Sequence, residues 1–375
     1  MFIDGWIESV GQARALAFGG VAIGFVFGFF AQRSRFCLRS ATIEFSRGLR
    51  GGKLTVWLFA FASALLVTQG LVALGWADVS SARQLASRGS LSGAAIGGAL
   101  FGIGMILARG CSSRLLVLAA QGNLRSLLSG LVFAVAAQAA WTGVLAPARE
   151  ALSALWTVEG GAARDLVMLT GMGRGGALLF GGIWLLAAIR WGWHQRVPTW
   201  GGLGAVMVGL SIAAAWWYTA HVAQLGLEAD LAPIQALSFT GPSAEVLTRV
   251  LFAHDKPPSF DLGLVPGVFL GSFCAAALFR ELKLEGFSGG ASMRRYLFGA
   301  LLMGFGGMLA GGCAVGAGLS GAAVFTITSW VALAAMWAAA AATDHVLDWR
   351  TEKASAAPAV PLDQPVPQLS RSFTR

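Results

Sequence analysis

The sequence predicts an all-α integral membrane protein of about nine transmembrane helices, with short broken or re-entrant helices at membrane depth. Of its 375 residues, 56% are hydrophobic and 12% are charged, which is about half the charged share of a soluble chain. The mean hydropathy is +0.68. Too little polar surface remains to cover a soluble globule, so soluble enzyme folds are excluded and the lipid bilayer is the first predicted partner. The 51 glycines predict close helix packing or broken helices.

Uncharged runs place the spans, since a helix needs about 20 apolar residues to cross a hydrocarbon core of roughly 30 Å. The last run has 48 residues without Asp, Glu, Lys or Arg and is predicted to contain two spans. The tail 354–375, with four prolines, is predicted to be a disordered cytoplasmic extension. The runs are 15–32, 54–77, 89–108, 126–148, 175–189, 197–227, 262–279 and 296–343.

Basic residues predict the orientation of the spans. The net charge is +9, and the segments 33–53 and 280–295 are basic, which places them in the cytoplasm by the positive-inside rule. The loops 147–174 and 220–261 are richer in acid and are predicted to face outside. Nine spans then put the N-terminus outside and the C-terminus inside, in the cytoplasm. No basic block with interleaved aromatic residues occurs, so nucleic acid is not a predicted partner.

Two pairs of similar segments predict an internal repeat. Residues 102–111 match 304–313 in Gly, Leu, Ala, Gly and Cys, and 20–28 match 263–271 in the spacing of their glycines. The alternative is chance similarity between glycine-rich helices, in which small-xxx-small patterns serve packing alone. The predicted organisation is a single transmembrane domain 1–353, repeat-like halves 15–148 and 262–343, and linking spans within 149–261.

Three of the four cysteines, Cys37, Cys111 and Cys313, lie just beyond the C-terminal end of an apolar helix. Each is followed by a stretch that can restart a helix, the pattern of a discontinuous membrane helix. A helix that begins at membrane depth points unpaired N–H groups and its positive dipole end into the cavity, which suits an anion. Cys274 lies inside a continuous apolar run and is expected only to pack. The sequence contains no CxxC and no zinc-ligand spacing, so neither a metal nor another cofactor is predicted.

Small and polar neighbours complete the candidate path. Ser112 and Ser113 can cap a restarted helix or donate a hydrogen bond to an oxyanion. Gly110 and Gly312 let the backbone approach a ligand closely.

Two arginines and one glutamate near the cysteines are open to more than one interpretation. Arg109 and Arg114 bracket Cys111, and they either attract an anion or extend to the membrane interface. Glu44 is expected to pair with Arg47 or to face water.

The segments 32–37 (QRSRFC), 109–113 (RGCSS) and 311–321 (GGCAVGAGLSG) resemble the YeeE/YedE-type sulfur transport family, the bacterial thiosulfate permeases. The resemblance extends over about residues 15–343. It implies two pseudo-symmetric halves, an hourglass shape and a central path along which thiosulfate passes between three cysteines, a role that falls on the three cysteines named above. It also implies a bacterial inner membrane as the location, which puts the outside N-terminus in the periplasm, and a small cytoplasmic sulfur-carrier protein as a partner. The Ser-Ser-Arg that follows Cys111 replaces a glycine-rich turn of the family.

The function favoured by the sequence is uptake of thiosulfate, or a related small sulfur compound, along a cysteine-lined path and without enzymatic activity. Thiosulfate is a dianion with a soft terminal sulfur, so neutral thiols and backbone N–H groups offer sites weak enough to leave. Two alternatives stay open. A membrane thiol oxidoreductase or sulfurtransferase requires a mixed disulfide or persulfide on a cysteine. A small-solute channel not specific for sulfur requires a flux that survives cysteine replacement.

Overall fold

The computed structural model describes residues 2–49, 51–195, 197–226, 233–252, 257–287 and 290–356, and these residues are almost entirely helical. A 3₁₀ helix (Gly161–Ala163) and a π-helix (Gly316–Gly321) interrupt the α-helices, and strands β1 (Gly89–Ser90) and β2 (Thr157–Val158) pair antiparallel. The helices are α1 Phe2–Val10, α2 Gln12–Ser34, α3 Leu38–Ser46, α4 Gly52–Ala73, α5 Arg83–Ala86, α6 Leu91–Leu107, α7 Ser112–Ala120, α8 Leu124–Trp141, α9 Ala146–Ala154, α10 Leu166–Thr170, α11 Gly173–Gln195, α12 Thr199–Gln224, α13 Thr240–Leu251, α14 Phe260–Leu278, α15 Gly290–Leu309 and α16 Ile327–Ala356.

The membrane fold class is confirmed. In the described residues, eight helical stretches are long and apolar enough to cross a bilayer. The predicted ninth span corresponds to α15, which has 20 residues but is not one of these eight. The uncharged run that was predicted to contain two spans does contain two long helices, α15 and α16. Helix α16 continues to Ala356, so the first residues of the predicted tail are helical, and residues 357–375 lie outside the described part of the chain.

Helices α2 and α14 pack so closely that their facing positions have no room for a side chain. A Cβ added at Gly20 would lie 2.2 Å from the Phe260 carbonyl oxygen, and one added at Gly263 would lie 2.0 Å from the Ala17 carbonyl oxygen. The facing positions advance together along both helices, so the two helices run parallel. The same backbone contact recurs at Gly24, Gly28, Gly267 and Gly271.

Helices α6 and α15 pack just as closely, but they run antiparallel. A Cβ added at Gly97 would lie 2.5 Å from the Gly306 carbonyl oxygen, and one added at Gly104 would lie 2.5 Å from the Gly299 carbonyl oxygen. If two helices are copies related by a two-fold axis, a parallel pair requires an axis that runs along the helices. An antiparallel pair requires an axis perpendicular to the helices. The α2–α14 and α6–α15 pairs therefore cannot both be related copies.

The contacts between elements repeat with a different pairing. Helix α3 packs on α4 as α13 packs on α14, and α7 packs on α8 as the π-helix packs on α16. Helix α6 packs on α16 as α15 packs on α8. These matching contacts pair α3 with α13, α4 with α14, α6 with α15, α7 with the π-helix and α8 with α16. With α6 and α15 antiparallel, this is the pattern of an inverted repeat in which α2–α8 correspond to α12–α16. The matching segments 20–28 and 263–271 are then packing partners. This pairing of helices differs from the halves 15–148 and 262–343 that the sequence predicts, because its second copy begins at α12.

Glu44 neither pairs with Arg47 nor faces water, the two roles that the sequence suggests, but caps the N-terminus of α4. Its buried carboxylate accepts hydrogen bonds from the backbone N–H groups of Lys53 (2.9 Å) and Leu54 (3.2 Å), in the first turn of α4. A carboxylate at a helix N-terminus satisfies orphan donors and complements the helix dipole. Arg47, in turn, makes a bidentate pair with Asp344 of α16, at 2.6 and 2.9 Å.

Asp344→Asn is expected to destabilise the protein by about 2 kcal/mol, because it breaks a largely buried ion pair that ties α3 to α16. The matched control is Glu150→Gln, which breaks the exposed Arg149–Glu150 pair and should cost less than about 0.5 kcal/mol. Thermal unfolding of the detergent-purified variants measures both. Equal midpoints for the two variants would contradict the structural role of Asp344.

Candidate functional site

The three candidate cysteines follow the same backbone turn. In each case the residue two positions before the cysteine has a left-handed conformation: φ is 53° at Arg35, 59° at Arg109 and 76° at Gly311. This conformation costs a non-glycine residue roughly 1–2 kcal/mol, so the two arginine turns hold local strain. Strained backbone of this kind concentrates at functional sites.

A new helix begins immediately after two of these turns and soon after the third. Cys37 is the N-cap residue of α3 and Cys111 is the N-cap residue of α7, and neither cap is closed by a side-chain hydrogen bond. Cys313 lies three residues before the π-helix, a form that is frequent at functional sites. The first N–H groups of these helices are therefore aimed toward the cysteines.

Cys37 and Cys111 form a pair. Their thiols are neighbours, and Cys111 Sγ is 3.4 Å from the Ser113 hydroxyl. All three side chains are buried. The structure thus brings two thiols and one hydroxyl from α3 and α7 to one point.

Cys313 lies at a separate point and has its own donors. The N–H groups of Phe239 (3.3 Å) and Gly316 (3.4 Å) both donate to its Sγ, which is fully buried. Phe239 ends the extended segment 233–239, and the Ser320 hydroxyl of the π-helix holds this segment by donating to the Leu237 carbonyl at 2.6 Å. Two convergent N–H donors give this sulfur an environment that suits a soft, electron-rich partner.

The two sulfur sites lie at opposite ends of the α6–α15 pair. Because these helices are antiparallel, the end of α6 that leads to Cys111 and the end of α15 that leads to Cys313 are separated by roughly 20 Å of helix. Three buried phenylalanine rings lie between the sites. Phe27 contacts Phe36 at 6.4 Å and Phe239 at 5.4 Å between ring centroids.

A polar cavity of about 240 Å³ lies beside the Cys37–Cys111 pair, and we call it the Arg114 cavity. The segment 281–285 borders it: Lys283 N–H donates to the Gln121 carbonyl at 3.0 Å, and the Glu281 carboxylate accepts from Gln32 at 2.7 Å. The lining residues are Gln32, Arg35, Arg114, Leu118, Gln121, Asn123, Glu281, Lys283 and Glu285.

The structure separates the two arginines that bracket Cys111. Arg114 lines the Arg114 cavity, and its buried Nη1 has no hydrogen-bond partner. Arg109 instead lies over the Tyr296 ring, with its guanidinium carbon 5.9 Å from the ring centroid. Of the two, Arg114 is the cation placed to meet an anion.

A second cavity of about 490 Å³, the Arg164 cavity, lies next to the turn that leads to Cys313, and both Gly311 and Gly312 line it. Arg164 is 7% exposed and donates to the Ser87 carbonyl (2.6 Å) and the Thr328 hydroxyl (2.8 Å). Burial lowers the pKa of Arg164, yet a guanidinium keeps its charge in proteins. Both sulfur sites therefore lie beside a cavity that an arginine lines, and of the two arginines Arg164 is buried and Arg114 is partly buried.

The predicted small residues differ in how tightly they are held. A Cβ at Gly312 would lie 2.8 Å from the Ala317 nitrogen, whereas one at Gly110 meets nothing closer than Leu115 at 3.4 Å. Ser112 does not cap α7, and its buried hydroxyl has no partner. Cys274 is exposed on α14 and belongs to neither sulfur site.

Arg164 and the segment 233–239 were missed by the sequence analysis. Arg164 occurs in a loop that was interpreted only through its charge, and nothing in its neighbours marks it as buried. The segment 233–239 is apolar apart from Gln235 and Ser238, but it is too short to be a span. A short apolar run within the predicted outside loop 220–261 was the one available signal.

Comparisons with known proteins show which proteins the chain is similar to. A family model described as sulphur transport matches residues 33–342. The thiosulfate transporter TsuA of Escherichia coli (strain K12) is 25% identical over 355 residues, which is 86% of this chain and 92% of that protein. The thiosulfate transporter TsuA of Spirochaeta thermophila (strain ATCC 700085 / DSM 6578 / Z-1203) is 25% identical over 326 residues, which is 84% of this chain and 93% of that protein.

Proposed function

The chain belongs to the sulphur transport family, and from that membership we propose that it takes up thiosulfate across the bacterial inner membrane along a path lined by Cys37, Cys111 and Cys313. The observation that carries the proposal is the pair of buried sulfur sites, each beside a cavity lined by an arginine that has a buried nitrogen without a partner: Arg114 Nη1 at one and Arg164 Nε at the other. A dianion needs donors, and a path needs more than one site of moderate strength. Neutral thiols, backbone N–H groups and single arginines supply such sites.

The basic segments suggest the direction of the path. Arg35, Glu281, Lys283 and Glu285, from the basic segments 33–53 and 280–295, line the Arg114 cavity. The positive charge of these segments supports a cytoplasmic location for this side, with the N-terminus in the periplasm and the C-terminus in the cytoplasm. Thiosulfate then enters by the Arg164 cavity and meets Cys313. It passes the rings of Phe27, Phe36 and Phe239 and reaches the Cys37–Cys111 pair. A small cytoplasmic sulfur-carrier protein would receive it at the Arg114 cavity.

Uptake in cells tests this function. A bacterial strain that lacks its other sulfate and thiosulfate permeases, and carries this protein, should grow on thiosulfate as the only sulfur source and accumulate ³⁵S-thiosulfate. Growth and accumulation equal to those of cells with an empty vector, while the protein is present in the membrane, would refute the proposal.

A second candidate function has one observation in its favour. The adjacency of the Cys37 and Cys111 thiols is also what a membrane thiol oxidoreductase or sulfurtransferase would need. That function requires a disulfide or persulfide on these residues during turnover, which mass spectrometry of the intact protein after exposure to thiosulfate would detect. Transport without any such adduct favours the permease.

Arg114→Gln is expected to reduce thiosulfate uptake about tenfold at low substrate concentration, because it removes a charged donor whose Nη1 has no partner within the protein. Arg109→Gln is the matched control, since Arg109 lies over Tyr296 and does not line the cavity. Initial rates of ³⁵S uptake, normalised to the protein in the membrane, measure both. A larger loss of thiosulfate uptake in Arg109→Gln than in Arg114→Gln would show that Arg109, and not Arg114, meets the anion.

A further inference from the structure

The Arg164 cavity contains buried polar atoms that the protein itself leaves unpaired. Thr240 is 1% exposed and its hydroxyl has no hydrogen-bond partner, and the Nε of Arg164 is likewise buried and without an acceptor. Both residues line the cavity. A buried donor without an acceptor is costly, so two in one cavity indicate a ligand that supplies acceptors.

The backbone adds donors at the same place. Thr240 and Gly241 are the first residues of the 12-residue helix α13, and Gly241 also lines the cavity. The first N–H groups of a helix lack partners within the helix and favour negative charge. The residue before Thr240 is Phe239, whose N–H donates to Cys313 Sγ. A ligand held by Thr240 therefore lies close to the Cys313 thiol.

The charge of the cavity fits an anion. Four arginines line it against a single carboxylate, Asp261, which accepts a hydrogen bond from the Gln235 side chain at 3.1 Å. The arginines are Arg83, Arg88, Arg149 and Arg164.

We infer that Arg164 and Thr240 form an oxoanion subsite that binds the three-oxygen end of the substrate and leaves its soft sulfur for Cys313. This subsite deepens the proposed function and rests on it. The subsite selects ligands that carry oxygen atoms. An –SO₃ group supplies hydrogen-bond acceptors to both unpaired donors, whereas hydrosulfide has no oxygen and is not bound there. Sulfate has the oxygens but lacks the soft sulfur, so it occupies the subsite and competes without being carried.

Thr240→Val tests the subsite, because it keeps the shape of the side chain and removes only the hydroxyl. We expect the KM for thiosulfate, and the inhibition constant of sulfate, to rise about tenfold with kcat unchanged. Thr55→Val is the matched control: Thr55 is fully buried in α4, its hydroxyl has no partner, and it lies outside this cavity. It should change neither constant.

Gly89→Ala provides a second variant that keeps every functional group. A Cβ at Gly89 would lie 2.6 Å from Arg164 Nε, so the new methyl group displaces the guanidinium without removing it. The KM should rise here as well, and hydrosulfide should not compete with thiosulfate in any variant. A KM for Thr240→Val within about twofold of the wild-type value, or competition by hydrosulfide equal to that by sulfate, would overturn the subsite.

Binding to the purified protein separates this inference from the proposed function. Calorimetric titration with sulfate should give the same Kd for the wild type and Cys313→Ala, and a weaker Kd for Thr240→Val. If Cys313→Ala stops uptake while Thr240→Val binds sulfate normally, the subsite is wrong and the cysteine path stands. If Thr240→Val weakens sulfate binding while Cys313→Ala transports normally, the subsite stands and the cysteine path is wrong.

Discussion

Cys111→Ala is expected to reduce thiosulfate uptake to the level of cells with an empty vector, whereas Cys274→Ala is expected to leave it unchanged. Cys111 is fully buried against Cys37 and Ser113, and it is the N-cap residue of the restarted helix α7. Alanine removes one of the two thiols that a passing anion meets at this point, and the neighbouring Cys37 thiol alone leaves the pair incomplete. Cys274 is exposed on α14, so it controls for the loss of a thiol as such.

The serine variants refine this prediction. Serine keeps a donor of similar size but lacks the soft sulfur, so partial uptake by Cys111→Ser would indicate that hydrogen bonding carries part of the step. Cys37→Ala and Cys313→Ala should behave like Cys111→Ala. Growth on thiosulfate that persists in both Cys111→Ala and Cys313→Ala would exclude the cysteine path and favour a channel not specific for sulfur.

Gly263→Leu is expected to prevent the protein from folding in the membrane. A Cβ at this position would lie 2.0 Å from the Ala17 carbonyl oxygen, and the obstacle is helix backbone, which no side-chain movement relieves. Helices α2 and α14 would have to separate, and with them the turn that positions Cys37. Overpacking costs about 1–3 kcal/mol where side chains can adjust, and more where backbone blocks the way.

Gly130→Leu is the matched control for that experiment. Gly130 lies in α8, and a Cβ added there meets nothing within 4 Å, so a leucine should be accepted. Size-exclusion chromatography of fluorescently tagged protein in detergent compares the two variants. A monodisperse peak of wild-type height for Gly263→Leu would show that the α2–α14 contact is not required.

The membrane fold was predictable because bilayer thickness and the solvation of backbone groups leave few options for a chain of this composition. Cys313 was located by the same logic: its helix stops in glycine-rich sequence, without enough polar residues for a loop in water, and must stop inside the protein. Cys37 and Cys111 were located by their position just beyond an apolar run and before a stretch that restarts a helix.

Other features depend on contacts between distant segments, which no local pattern encodes. The pairing of Cys37 with Cys111, the donation from Phe239 to Cys313 and the burial of Arg164 all join residues from separate helices. The repeat shows the same limit. The glycine spacing shared by 20–28 and 263–271 arises equally from common descent and from mutual packing, and only the parallel direction of α2 and α14 distinguishes these origins.

The most direct test of the cysteine path is a structure of the protein with bound selenosulfate, in which selenium replaces the terminal sulfur of thiosulfate and its anomalous scattering locates that atom. The path predicts selenium peaks beside Cys313 Sγ and beside the Cys37–Cys111 pair, with the oxygens of the first ligand toward Arg164. Selenium peaks remote from all three cysteines, in a protein that still transports thiosulfate, would contradict it.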